Sequence, residues 1–140
     1  MPITYSFDQE RGLVLTEVTG ELSISITEDY FARLQQDKNC PEKAIEIVDF
    51  SGVTGFAIQY SEMRKITETY QITKSTRNIR ATVFNCPSDL SYGIARMLQT
   101  LHEIANVKHA VTITRSQEEL EKCIEELRSN QSGYVVNDYA

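Results

Sequence analysis

Cysteine is scarce and poorly placed for a scaffold or a metal. There are three, Cys40, Cys86 and Cys123, widely spaced, odd in number and without a CxxC pair. That pattern excludes a disulfide framework, argues against a zinc site and suits a reducing compartment. Two lone histidines, His102 and His109, cannot complete a conventional zinc cluster. No long apolar run exists that could span a bilayer, and Met1 to Gly20 lacks a basic start followed by an apolar signal core. A Gly-rich phosphate loop, HExxH and GxSxG are all missing. Internal repeats and low-complexity segments are missing as well. The formal net charge of −6 leaves no surplus of cations for a general nucleic-acid binder.

What remains is 140 residues with 41% apolar content, enough for one well-buried core and too little for two ordinary domains. The reading is one domain over residues 1–130 with a polar tail over 131–140, in a cytoplasmic protein. Charge is uneven along it. Arg64, Lys65, Lys74, Arg77 and Arg80 fall close together and read as a solvated helix end and loop, whereas Glu118 to Glu126 is acidic.

The chain is organised around Ala44 to Gly55. A β-branched, mostly apolar run ends at Asp49, after which Ser51, Gly52, Thr54 and Gly55 read as the turn chemistry of an exit loop. Ahead of it, Ile3, Tyr5 and Phe7 alternate with polar residues, Asp8 to Gly12 reads as a turn, and Leu13 to Thr19 reads as a second strand stopping at Gly20. A helix follows. Thr27 is taken as its N-cap, with Ile26 stapled onto Phe31, and Asp37 to Pro41 ends it.

Beyond the central strand, Tyr60, Met63, Ile66, Thr67 and Tyr70 predict a helix with one core-facing stripe. Arg80 to Cys86 predicts a strand broken by Pro87. Ser88 and Asp89 open another helix, with Leu90, Ile94, Met97, Leu98, Leu101 and Ala105 as its buried stripe. Tyr92, Arg96, Gln99 and Glu103 lie on a different face, and Asn106 is the stop. His109 to Thr114 predicts an edge strand. Ser116 with Glu119 forms a capping box before a last helix that buries Leu120, Cys123, Ile124 and Leu127. In the tail, Tyr134 to Val136 reads as a further strand or a latch onto a partner.

The order β-β-α-β-α-β-α-β-α predicts an α/β fold with a single mixed, mostly parallel sheet opened by an antiparallel hairpin, because helical crossovers return the chain to the same end of the sheet. Ligands and partners of such sheets meet the carboxyl ends of the strands. Those ends carry Asp49, Ser51 and Thr54, then Asn85, Cys86 and Ser88, then Thr114, Arg115 and Ser116, expected on one rim.

The opening β-β-α, the strand Ile45 to Asp49 with its Phe50-Ser51-Gly52 exit, and Ser88-Asp89-Leu90-Ser91-Tyr92-Gly93-Ile94-Ala95-Arg96-Met97 resemble the STAS-like superfamily. The likeness covers roughly Ile3 to Leu127. It is nearest to small stand-alone bacterial members, distantly similar to anti-sigma-factor antagonists and to lipid-transfer domains of the CRAL-TRIO kind. In the antagonists, the resemblance implies a serine in an Asp-Ser-Ser-Gly-type segment that a partner kinase phosphorylates. Here the corresponding stretch is Phe56 to Ser61, which departs from that pattern and offers Ser61 alone.

A cysteine mechanism would use Cys86 with His102 or His109 as base. Neither histidine is expected near Cys86, which reads as buried and inert. The expectation is therefore a non-catalytic interaction or regulatory module without cofactor or metal, binding a protein partner or itself. Its surface would comprise Asp49, Ser51, Val53, Phe56, Ile58, Ser61, Tyr92, Arg96 and Arg115, with the apolar members in an exposed exit loop. Asp49 with Arg115, and Tyr92 with Arg96, are the polar pairs to test for an ion pair or an anion fork. The alternative is a carrier or sensor of a small apolar or anionic, lipid-like ligand, with the exit loop as lid and Arg64, Lys74, Arg77 or Arg96 on the head group.

Overall fold

In the computed structural model, which describes residues 2–59, 61, 62, 64, 65, 68, 79–104 and 110–129, five strands form one sheet in the order β1-β2-β3-β4-β5. They are β1 (Ile3–Asp8), β2 (Leu13–Ser23), β3 (Ile45–Ala57), β4 (Ala81–Asn85) and β5 (Ala110–Thr114). Three helices are bounded: α1 (Ile24–Gln36), α2 (Asp89–Ile104) and α3 (Gln117–Ser129). β1 and β2 pair antiparallel, and every other pairing is parallel, as the element order requires. The predicted helical stripe of Tyr60, Met63, Ile66, Thr67 and Tyr70, the cations Lys74 and Arg77, and the tail over 131–140 lie outside the described residues.

The steps β2→β3 and β4→β5 go the same way across the sheet, so right-handed crossovers place α1 and α2 on one face. There, Val14, Val48, Phe50 and Phe84 pack with Tyr30, Phe31 and Leu34 of α1 and with Ile94, Ala95 and Leu98 of α2. Phe50 and Phe84 stack at 5.0 Å between ring centroids. α3 lies on the other face, where Cys123, Ile124 and Leu127 meet Ile45, Ile47, Val83 and Ala110. In this layer Arg80 is not a solvated cation, since its guanidinium donates to the Leu127 carbonyl at 2.7 Å near the end of α3.

A polar knot interrupts the first layer. Glu46 is 1% exposed, and its carboxyl accepts from the Tyr30 hydroxyl and, at 2.8 Å, from the Thr82 hydroxyl. The Tyr30 oxygen also lies 2.7 Å from that of Thr16. A buried carboxyl is tolerated only when such partners replace water.

Three local expectations are corrected. β2 does not stop at Gly20 but runs to Ser23. Gly20 takes a positive φ of 78° without a Cβ penalty, beside a register shift between Gly20 and Glu21. The N-cap of α1 is Ser23 rather than Thr27. The Ser23 hydroxyl accepts from the Ile26 amide, while Thr27 sits inside the helix and donates to the Ser23 carbonyl at 2.9 Å. Most consequentially, Ser51 to Gly55 is not an exit loop: β3 continues to Ala57, paired with β2 throughout. Residues Glu17 to Thr19 face Asp49 to Gly52, and Gly20 to Glu21 face Val53 to Gly55, so β3 carries the extra residue at each bulge. Gly52 serves this close approach, because a Cβ there would lie 2.9 Å from Thr19 Cγ2 and 3.1 Å from the Val18 carbonyl oxygen.

Both outer strands are stoppered. The Thr19 amide donates to the Pro2 carbonyl, so the next carbonyl of β1, that of Ile3, faces outward; Arg33 donates to it at 2.9 Å. On β5 the Thr114 carbonyl accepts from Cys86, so that of Val111 faces outward, and Gln99 donates to it at 3.0 Å.

Gly52→Ala is expected to destabilise the protein by about 1–3 kcal/mol in chemical denaturation, through overpacking against β2. Combining it with Thr19→Ala should recover part of that loss, since the nearest clashing methyl is then removed.

Candidate functional site

The parallel ladder sets Asp49, inside β3, level with the carboxyl ends of β4 and β5. Asp49, Asn85 and Thr114 are successive register partners across β3, β4 and β5. Most of this rim is committed to its own structure. Thr114 donates to the Asn85 side-chain oxygen at 2.9 Å, the Cys86 amide donates to the Thr114 carbonyl at 2.8 Å, and the Asp49 carboxylate accepts from the Ser51 amide at 2.9 Å. Ser88 caps α2, accepting from the Ser91 amide at 3.1 Å, and the two hydroxyls lie 2.8 Å apart.

Arg115 pairs with Asp89 at 3.0 Å rather than with Asp49, and lies 4.7 Å above the centre of the Tyr92 ring. Asp89 is fully exposed, so the ion pair orients the guanidinium more than it stabilises the fold. Tyr92 and Arg96 do not converge as an anion fork: Tyr92 stacks with Arg115, while Arg96 donates to the Gln99 side chain.

The apolar members of the expected surface divide. Val53 and Ile58 are 6% and 8% exposed and belong to the core on the α1/α2 face, whereas Phe56 is half-buried beside it. The expected exposed loop is corrected because Val53 and Phe56 ride on a paired strand, whose alternation turns Val53 inward, and Ile58 is buried just past its end. Ser51 is exposed. So is Ser61, at the start of a helix whose entry is closed by Glu62 accepting from the Gln59 amide at 2.9 Å. Leu90 and Met97 correct the helical stripe in the opposite sense. Both are 47% exposed and share the outer face of α2 with Gly93, in the i, i+3, i+7 spacing. The apolar periodicity of this helix runs around too much of its circumference for sequence to separate inner from outer positions.

Cys86 is fully enclosed, and burial pushes its thiol up to about 12 despite the nearby Arg115 charge. A group held that far from ionisation is a poor nucleophile. The side chain of His102 and all of His109 lie outside the described residues. Among the described residues no set of His, Cys, Asp and Glu could hold a metal ion, and no helix is long and apolar enough to cross a membrane. A cavity of about 30 Å³ lies in the α1/α2 layer between Val18, Leu22, Phe31, Val48, Phe50 and Phe84. That is far below the several hundred Å³ of an ordinary ligand pocket. Val53, Phe56 and Ile58 do not line it.

With this geometry in place, one solved structure matches over nearly its whole length: the anti-sigma factor antagonist SpoIIAA in its unphosphorylated form. It is 15% identical, with a TM-score of 0.53, over 91% of this chain and 99% of the other. The chain has a STAS-like fold. No protein-family model matches it, and no curated protein does. At that identity the STAS-like likeness concerns the path of the backbone, and the site has to be argued from the side chains above.

Cys123 is enclosed like Cys86, and burial raises its thiol to about 12 as well. For a thiol raised by burial, stability is fully present below the unfolded value near 8.5 and is lost as pH rises towards 12. Native protein at pH 8 is expected to react with a thiol reagent at half-buried Cys40 first. Cys86 and Cys123 should become labelled only on unfolding, or as stability falls between about pH 9 and 12. Peptide mapping after timed labelling reads this out.

Proposed function

We propose that the chain is a non-catalytic, cytoplasmic interaction and regulatory module of STAS-like type. It binds a protein partner or a second copy of itself through the carboxyl rim of the sheet and the outer face of α2. The observation that carries this reading is the pair Leu90 and Met97, two large apolar side chains about half exposed on one face of a helix that buries Ile94, Ala95 and Leu98 on another. Exposed apolar residues in a helical row cost solubility unless something covers them, and a helix face read at i, i+3 and i+7 is a common partner surface. Phe56, Ser51, Ser61, Tyr92 and the Arg115–Asp89 pair supply the rest of the surface, with Asp49 and Val53 supporting it from within β3 and Ile58 from just beyond it.

The structural neighbour favours the same class, since an anti-sigma factor antagonist works by acting on another protein. That neighbour has an unphosphorylated form, and in this proposal exposed Ser61, in the first helical turn after β3, takes the role of a modification site. Phosphate there would be favoured by the positive end of the helix dipole. Inertness of Cys86 supports the non-enzymatic part of the reading. The carrier alternative gains no support from a cavity of about 30 Å³.

The double variant Leu90→Ser, Met97→Ser is expected to keep its far-ultraviolet dichroism and to weaken self-association or partner capture by roughly tenfold or more, the scale of a lost hot spot. Sedimentation and capture with labelled wild-type chain measure it. Unchanged binding by the folded variant removes this surface from consideration.

A further inference from the structure

On the sheet face opposite α2, α3 covers β4, β5 and part of β3, and no other described helix lies over the β1–β2–β3 side. A groove of about 360 Å³ runs there, floored by Leu15, Ile47 and Leu120 and edged by Glu17, Asp49 and the hydroxyls of β1. Glu17 and Asp49 are register partners on adjacent parallel strands, roughly 4.8 Å apart in the backbone. Among the described residues neither carboxylate has a cation beside it: Asp49 accepts from the Ser51 amide, and no described Lys or Arg lines the groove. Like charges directly across a ladder are unfavourable, in contrast to pairs such as Asp8 with Arg11 and Asp29 with Arg33. The uncompensated pair thus sits at the mouth of a depression with an apolar floor.

We propose that this groove is a second docking site, sharing Asp49 with the rim but otherwise separate from it and from α2, and that its occupant is an extended segment of another protein carrying Lys or Arg next to an aliphatic residue. The cation would lie between Glu17 and Asp49, relieving their repulsion, and the aliphatic side chain would cover Leu15, Ile47 and Leu120. Charge complementarity selects this occupant over the chain's own residues 130–140, which hold Asp138 and no Lys or Arg.

The test uses three capped peptides, Ser-Lys-Leu-Lys-Ser, Ser-Glu-Leu-Glu-Ser and Ser-Lys-Ser-Lys-Ser, titrated into ¹⁵N-labelled full-length protein. The first is expected to shift the amides of Leu15, Glu17 and Asp49 saturably; the second should not, and the third should do so more weakly. Glu17→Gln should weaken the first peptide about two- to fivefold. It should also raise the melting temperature of the free protein by about 1–4 °C as the like-charge contact goes. Leu15→Ser should weaken the same peptide without that gain. Equal shifts from all three peptides, shifts confined to other surfaces, or a Glu17→Gln protein that binds as before would overturn the proposal. Groove amides that move with protein concentration alone would make a second copy the occupant, and contacts from Tyr134 to Leu15 would make the tail the occupant; either overturns it. Glu17→Gln leaves association through Leu90 and Met97 unchanged, so failure here is separable from failure of the rim reading. Loss of that association in Glu17→Gln counts against a distinct site.

Discussion

The fold turns on one enclosed carboxyl group. Glu46 stands in the middle of the sheet, and the hydroxyls that receive it come from α1 and β4, with β2 joined through Thr16 and Tyr30. Four elements distant in sequence must therefore be correctly placed before this side chain loses its water, and misplacing any of them strands an acid in an apolar layer. Hydrophobic burial on both faces of the sheet supplies the driving force. The polar knot specifies which packing is acceptable, a role better attested for such networks than net stabilisation.

That division of labour explains what could be read from the chain in one dimension. Alternation in Ile3 to Phe7 and in Ala110 to Thr114, the Ser116–Glu119 capping box and the buried row Leu120, Cys123, Ile124 and Leu127 are local signals, and each element forms where they point. The mixed sheet followed from the element order through the handedness of crossovers. Glu46, by contrast, carried no mark in sequence as a structural centre, because its partners lie at Thr16, Tyr30 and Thr82.

The candidate site was less legible, for an identifiable reason. Ser51, Gly52, Thr54 and Gly55 have turn composition, yet their glycines serve the approach of β3 to β2, where a side chain would strike Thr19 or Glu21. A loop there would leave Val53 and Ile58 in solvent, whereas strand pairing turns Val53 into the core and Ile58 is buried just beyond the strand. The same limit acted in reverse on α2. Leu90 and Met97 fit a helical period as well as Ile94 and Leu98 do, and only the position of the sheet decides which row stays wet. Asp49 and Arg115 read as the ends of two strands, yet Asp49 lies inside β3, β4 separates it from β5, and the partner of Arg115 is Asp89, two residues beyond a proline that sequence treats as a break.

The side-chain stoppers on β1 and β5 also have a bearing on how this molecule fails. An added strand needs a row of vacant backbone acceptors, and here Arg33 and Gln99 have each taken one from the outermost ladder, reaching in from the helical layer. Growth into a continuous cross-β fibril is thereby obstructed at both margins while the helices stay docked. Loss of α1 or α2 from the sheet would expose those margins, so resistance to fibrillation is a property of the helical layer rather than of the strands themselves.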